Sequence, residues 1–167
     1  MGSLYGVATG RFELLEMTLR KCAEHGGMPF RFPSLFTDEQ FSNEMLDINV
    51  PKEMVLGLLD SLKKGADALG VAVLDYLMPG DWAGPQSESY ENFREYIFEK
   101  YRAFPEGIIE TYIHPAIVSD ELKAICGSWQ RRGWEYELFS DPKTKEFIES
   151  QGIKLINYRD LKKMRGF

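Results

Sequence analysis

The sequence predicts an α/β fold built on parallel strands. Three observations carry this reading: amphipathic helical stretches alternate with short runs of apolar residues, those runs are apolar on both faces, and Gly or Pro punctuates the junctions. A strand that is apolar on both faces belongs in a sheet covered on both sides, the environment of βαβ units.

Residues 11–25 (RFELLEMTLRKCAEH) place Phe12, Leu15, Leu19, Cys22 and Ala23 on one helical face, and Gly26-Gly27 stops the helix. Residues 28–32 (MPFRF) follow as a short extended segment between prolines. Pro51 suits a first helical position for residues 52–64, where Met54, Val55, Leu58, Leu59 and Leu62 form an i, i+3, i+4 stripe. The run 70–77 (GVAVLDYL) is nearly all apolar and reads as a strand. Two Pro and two Gly make residues 78–87 (MPGDWAGPQS) a loop. Residues 89–104 return to helix, with Tyr90, Phe93, Ile97 and Tyr101 on one side. After the turn at residues 105–107 comes a strand, 108–113 (IIETYI), then helices at 120–126, 129–139 and 142–150, and a closing strand at 153–157 (IKLIN).

The chain has 167 residues, 44% of them hydrophobic, which suits one domain with a buried core. Lys and Arg number 20 against 26 Asp and Glu, a net charge of −6 that argues against nucleic acid as a partner. No apolar run approaches the ~20 residues of a membrane span, and no charged segment precedes an apolar one at the start, so the expected location is cytoplasmic and no membrane is involved. Cys22 and Cys126 lie far apart, in no CxxC or Cys/His cluster, and read as buried thiols of a reducing compartment. Four strands cannot close a barrel that takes eight strands and about 250 residues. The domain is either a compact open sheet or one lacking its N-terminal half.

The chain has two histidines. His25 ends a helix beside two glycines, where an imidazolium favours the C-terminal dipole. His114 stands at the carboxyl end of the 108–113 run and before Pro115, the end of a parallel strand at which ligands bind. Arg31 sits in an apolar segment where an unpaired guanidinium is costly, so an acid must meet it. Asp75 and Glu110, both set within strands, are the two candidates; the alternative role for Arg31 is a clamp on a catalytic carboxylate or a substrate oxygen. Trp82, in the loop after a strand, is either a stacking platform for a sugar ring or a packed lid residue. Arg131, Arg132 and Glu135, between Trp129 and Trp134, read as a helix-surface ion network. HxxxH, GxGxxG, Walker and GxSxG motifs are absent, as is a pair of Asp residues at a strand end.

The run 106–161 carries GIIETYIHPAIVSDEL and WQRRGWEYELFSDPKTKEFIESQGIKLINYRDL. It resembles the end of the YdjC/ChbG-like carbohydrate deacetylases: a Glu-x-x-x-His-Pro strand end, an Asp-Glu-Leu helix, an Arg-x-x-Glu helix and a closing Gly-Ile-x-Leu-Ile-x-Tyr strand. HGGMPFRFP resembles the segment that brings the family's strand-borne Arg, and MGSLYG resembles the stretch just after the metal-binding His of its Asp-x-His motif. The resemblance implies an irregular (β/α) barrel, of which this chain holds a partial form with about four parallel strands and flanking helices, the N-terminal half being absent. It implies removal of N-acetyl groups from amino sugars of chitooligosaccharide type, with a divalent metal, Zn or Mg, held by an Asp and two His. Of that machinery the catalytic positions map onto His114 as general acid, Arg31 as orienter and, less closely, Asp75; Trp82 would contact the sugar. No ligand of the family's metal maps onto this chain, so no cofactor is expected in it and the isolated chain is expected to be inactive. The alternative is a non-catalytic α/β module that binds a carbohydrate or a partner subunit. Exposed sheet edges and lumen-facing apolar residues further predict a homo-oligomer, with contact at residues 4–12 or at the strand near Phe30.

Overall fold

The computed structural model of the chain describes residues 12–42, 51–81 and 83–167, so Trp82 and the expected contact segment at residues 4–11 lie outside the described residues. The fold is mixed α/β and mostly helical, with short parallel strands and no closed barrel among the described residues. It divides into two compact units. One holds the chain up to Leu77 with Gly107–Glu110 and Ile156–Phe167; the other holds Met78–Glu106 and Thr111–Leu155.

In the first unit, α1 (Phe12–Glu24) buries Leu15, Leu19 and Cys22, which lie on the face its periodicity predicts. Gly26 and Gly27 end it with φ of 78° and 67°, a conformation that side-chain-bearing residues resist. His25 Nδ1 donates to the Lys21 carbonyl at 2.8 Å, which is the helix-end role expected of it. Strand β1 (Phe30–Pro33) and a short helix α2 (Asp38–Ser42) follow. Helix α3 (Lys52–Ala68) runs four residues past its expected end and buries Leu59 and Ala66, while Met54, assigned to its apolar stripe, is exposed.

The apolar run after α3 forms two strands, β2 (Val73–Leu74) and β3 (Tyr76–Leu77), separated by Asp75. β1 pairs with β2, and β3 pairs with β4 (Ile109–Glu110), both in parallel. Asp75 joins the two ladders: its carbonyl accepts from Leu35 N at 2.8 Å, and its amide donates to Ile108 O at 3.0 Å. Residues 73–77 are thus the middle of a three-stranded parallel arrangement, packed on Leu15, Leu19, Phe32 and Leu59. Each such side chain removed from water contributes roughly 1.5–3 kcal/mol.

In the second unit, a 3₁₀ turn (Pro85–Ser87) leads into α4 (Tyr90–Arg102), capped by Ser89, whose hydroxyl accepts from Asn92 N. Phe93, Ile97 and Tyr101 of α4 form a core with Leu138 of α6 (Trp129–Ser140) and Ile148 of α7 (Pro142–Ser150). The six-residue α5 (Asp120–Ile125) precedes α6.

Two expectations fail at the ends of strands. The run at 108–113 pairs only over Ile109–Glu110, so His114 stands in an irregular segment beyond the strand and not at its end. Residues 153–157 form no strand: they run without a ladder partner, with Leu155 53% exposed, whereas a parallel strand is held by neighbours on both sides. Directly after them comes a helix that periodicity did not predict, α8 (Tyr158–Met164), started by a capping box between Asn157 and Asp160. No described helix is long and apolar enough to cross a membrane.

Candidate functional site

In the first unit, five polar side chains gather around the three parallel strands. Arg31 of β1 reaches Glu110 of β4, guanidinium to carboxylate at 2.5 Å. Glu110 is thus the acid that the sequence required for Arg31, chosen over Asp75. The guanidinium is not buried, since half of the Arg31 side chain is open to solvent while Glu110 keeps 16%. Tyr158, at the first turn of α8, donates its hydroxyl to the other Glu110 oxygen and lies 3.5 Å from Arg31 Nε. Contact with Tyr158 is the main cause that raises the Arg31 pKa. Burial, then the Glu110 carboxylate, raises the Tyr158 phenol, against the pull of Arg31.

Asp75 faces different partners. One carboxylate oxygen accepts from Ile108 N at 2.7 Å and the other from Arg165 at 2.5 Å. Gly107 makes room for it: a Cβ there would stand 3.1 Å from Asp75 Oδ2, at a φ of 141° that favours glycine. A carboxylate that accepts a backbone N–H and pairs with a guanidinium is engaged in holding the strands together.

His114 belongs to the second unit. Its amide donates to Glu135 Oε2 at 2.7 Å, and its ring meets Tyr112 edge-on at a centroid distance of 5.5 Å. Glu135 and Arg131 are 4% and 5% exposed, which corrects the surface network expected for Arg131, Arg132 and Glu135. An i, i+4 pair of opposite charges looks like a solvated helix face in any single sequence; here loops from elsewhere in the unit cover it. Arg131 donates to the Asp81 carbonyl and stacks over Phe93, its charge centre 5.5 Å from the ring. Burial lowers its pKa and Glu135 opposes that. The Asp81 amide in turn donates to Tyr96 Oη at 2.7 Å.

The cysteines differ from expectation in one case: Cys22 is buried, but Cys126 is half-buried. Burial raises the Cys22 thiol, whereas the Ser128 hydroxyl, 3.4 Å from the sulfur, lowers that of Cys126.

The structure therefore brings Arg31 together with Glu110 and Tyr158, and Asp75 together with Arg165, inside one unit. Tyr158 and Arg165 were not foreseen, and the only local signal was the Asn157-x-x-Asp160 cap that starts their helix. No group of three or more His, Cys, Asp and Glu side chains converges among the described residues. A site for Zn²⁺ uses three or four such ligands, so these residues do not fit the metal that the resemblance implies.

Comparison with known proteins supplies the relationship. No curated protein matches the chain. The crystal structure of an Enterococcus faecalis V583 protein described as a cellobiose-phosphate cleavage protein is similar in fold, at 21% identity and a TM-score of 0.53, covering 90% of this chain. The chain spans 48% of that protein's length. The family model for YdjC-like proteins matches residues 12–150, and the chain belongs to the YdjC-like family.

Proposed function

We propose that this chain is the C-terminal part of a carbohydrate deacetylase, an enzyme hydrolysing N-acetyl groups on amino sugars, and that it is inactive by itself. The observation that carries the reading is Arg31. Glu110 holds its guanidinium on one side while half of the side chain is open to solvent, which leaves donors able to face a substrate oxygen. The family membership supports the carbohydrate class, as does the name given to the Enterococcus faecalis protein. The resemblance gives His114, exposed in the second unit, the role of proton donor to a departing amine, and Trp82 would stack on a sugar; neither role is drawn from the Arg31 arrangement of the first unit. Asp75 is the least suited of the assigned residues, because Arg165 and Ile108 N already occupy its oxygens. Zn or Mg would supply the activated water in a complete enzyme, but the described residues do not assemble its ligands.

Titrating the chain with an N-acetylated chitooligosaccharide and with its deacetylated form tests the substrate class. The acetylated sugar is expected to bind more tightly, and Arg31→Ala to weaken it about tenfold, the loss of one charge-assisted hydrogen bond. Equal or absent binding of the two sugars rejects the substrate. Acetate release with Zn²⁺ or Mg²⁺ present rejects the inactivity.

A further inference from the structure

The segment that carries His114 has little secondary structure of its own, yet it is fastened to one helix. Ala116 N donates to the Arg132 carbonyl of α6 at 3.0 Å, and Gly133 of the same helix lies so close that a Cβ on it would come 2.6 Å from Val118 Cγ2. The third attachment is Glu135. Its carboxylate is buried, and a carboxylate is kept out of water only where donors and a counter-charge meet it. The His114 amide supplies a donor at 2.7 Å, and Arg131, one turn earlier and equally buried, supplies the counter-charge.

We propose that Glu135 is the positioning residue for His114: its buried carboxylate accepts the His114 amide and so fixes the direction in which the imidazole leaves the chain. The helix behind it is itself anchored. Arg131 binds the Asp81 carbonyl, Tyr96 receives the Asp81 amide, and Phe93 lies under the guanidinium. Leu138 and Trp134 tie the same helix into the core. A peptide amide bound to an anion on a rigid helix loses freedom in φ of that residue, and the Cα–Cβ vector of His114 is set with it. The benefit to chemistry rests on His114 acting as the acid in the proposed deacetylation; the attachment itself does not.

Amide hydrogen exchange of the intact chain, read by NMR at single residues, tests this. Arg131→Met with Glu135→Gln keeps an acceptor oxygen, leaves no stranded charge and is expected to hold His114 N–H protection within about threefold of the parent. Removing only Glu135 would strand the Arg131 charge, so the informative variant is Arg131→Met with Glu135→Leu, since apolar replacement of a buried pair is often tolerated. In that double variant the His114 amide is expected to exchange at least about tenfold faster, while the Leu138 amide of the same helix stays protected. The His114 ring resonances are expected to move with it, and those of His25, the other histidine of the chain, to stay in place. Unchanged His114 protection in Arg131→Met with Glu135→Leu, or its loss in Arg131→Met with Glu135→Gln, overturns the proposal. Adding the acetylated sugar to the parent chain separates the two claims: a His114 ring that does not respond counts against the deacetylase reading, whatever the exchange data show for Glu135.

Discussion

Arg31 and Glu110 meet at 2.5 Å although their strands do not pair with each other, since residues 73–77 run between them. Neighbouring strands lie about 4.8 Å apart, so the contact spans two strand spacings and uses the full reach of both side chains. Tyr158 closes the triangle from helix α8.

That triangle predicts opposite effects on one phenol. Glu110 raises the Tyr158 pKa and Arg31 lowers it, so Glu110→Gln should bring the phenol down toward its ordinary value and Arg31→Ala should push it further up. NMR titration of the Tyr158 ring, identified by Tyr158→Phe, reads both. Shifts of the same sign in the two variants would mean that Tyr158 does not sit between these charges. Because Arg31 is half-exposed, Arg31→Ala should cost no more than about 1 kcal/mol of stability.

Asp75 should behave as a structural acid. Asp75→Leu leaves the Ile108 amide without its acceptor and the Arg165 guanidinium without its counter-charge, with only the Val73 carbonyl still accepting from Arg165 Nε, and is expected to cost about 2–3 kcal/mol in urea unfolding. Asp75→Asn keeps an acceptor for Ile108 and should cost about half of that. If Asp75→Leu is as stable as the parent, the carboxylate is not holding the strands and is available for chemistry.

The helices with strong periodicity, α1, α3 and α4, were legible because at least three apolar residues on each mark the buried face. The parallel strands were legible as apolar runs, and Glu110 was one of the two acids named for Arg31, although the burial cost that called for an acid does not apply to a guanidinium half-open to solvent. Other features were hidden for physical reasons. Asp75 divides its strand because its backbone serves one ladder on each side, a fact of pairing that one strand's sequence does not carry. Residues 153–157 have strand propensity without a neighbour to pair with. Arg131 and Glu135 match the spacing of an exposed ion pair, but contacts distant in sequence, with Asp81, Phe93 and the His114 amide, meet them in the fold. Tyr158 and Arg165 lie more than forty positions from their partners, beyond any local pattern.

The two thiols should differ in reactivity. The thiolate is the reacting species, Cys126 is half-buried with its pKa lowered by Ser128, and Cys22 is buried with its pKa raised. Iodoacetamide at neutral pH is expected to label Cys126 at least about a hundredfold faster, as read by mass spectrometry of the peptides. Comparable rates would show that α1 opens readily enough to expose Cys22.

Association is a further expectation. Ile117 and Ile125 are 70% and 76% exposed, and the outer edges of β1 and β4 carry no strand partner among the described residues. We expect a homodimer, and sedimentation equilibrium that returns a monomer of 19.2 kDa at all concentrations would refute it.

Tyr101 gives a pH dependence with a definite sign. Its ring lies in the second core, 8% exposed and 4.8 Å from Phe104, and burial pushes the phenol up to about 12 from an ordinary value of 10.0. Burial penalises the phenolate, so the native state holds the proton over a range where the unfolded chain has lost it. A folded pKa above the unfolded one contributes stability that is complete below the unfolded value and is lost as pH rises through the folded one. A tenfold difference in proton affinity between the two states is worth about 1.4 kcal/mol, so the parent should lose roughly 2–3 kcal/mol from this residue between about pH 10 and pH 12. Tyr101→Phe removes the titrating group and keeps the ring. Urea unfolding of both proteins at a series of alkaline pH values should show the variant gaining on the parent throughout that window and equal to it in slope below. Parallel curves across the whole range would mean that the Tyr101 hydroxyl reaches water in the native state.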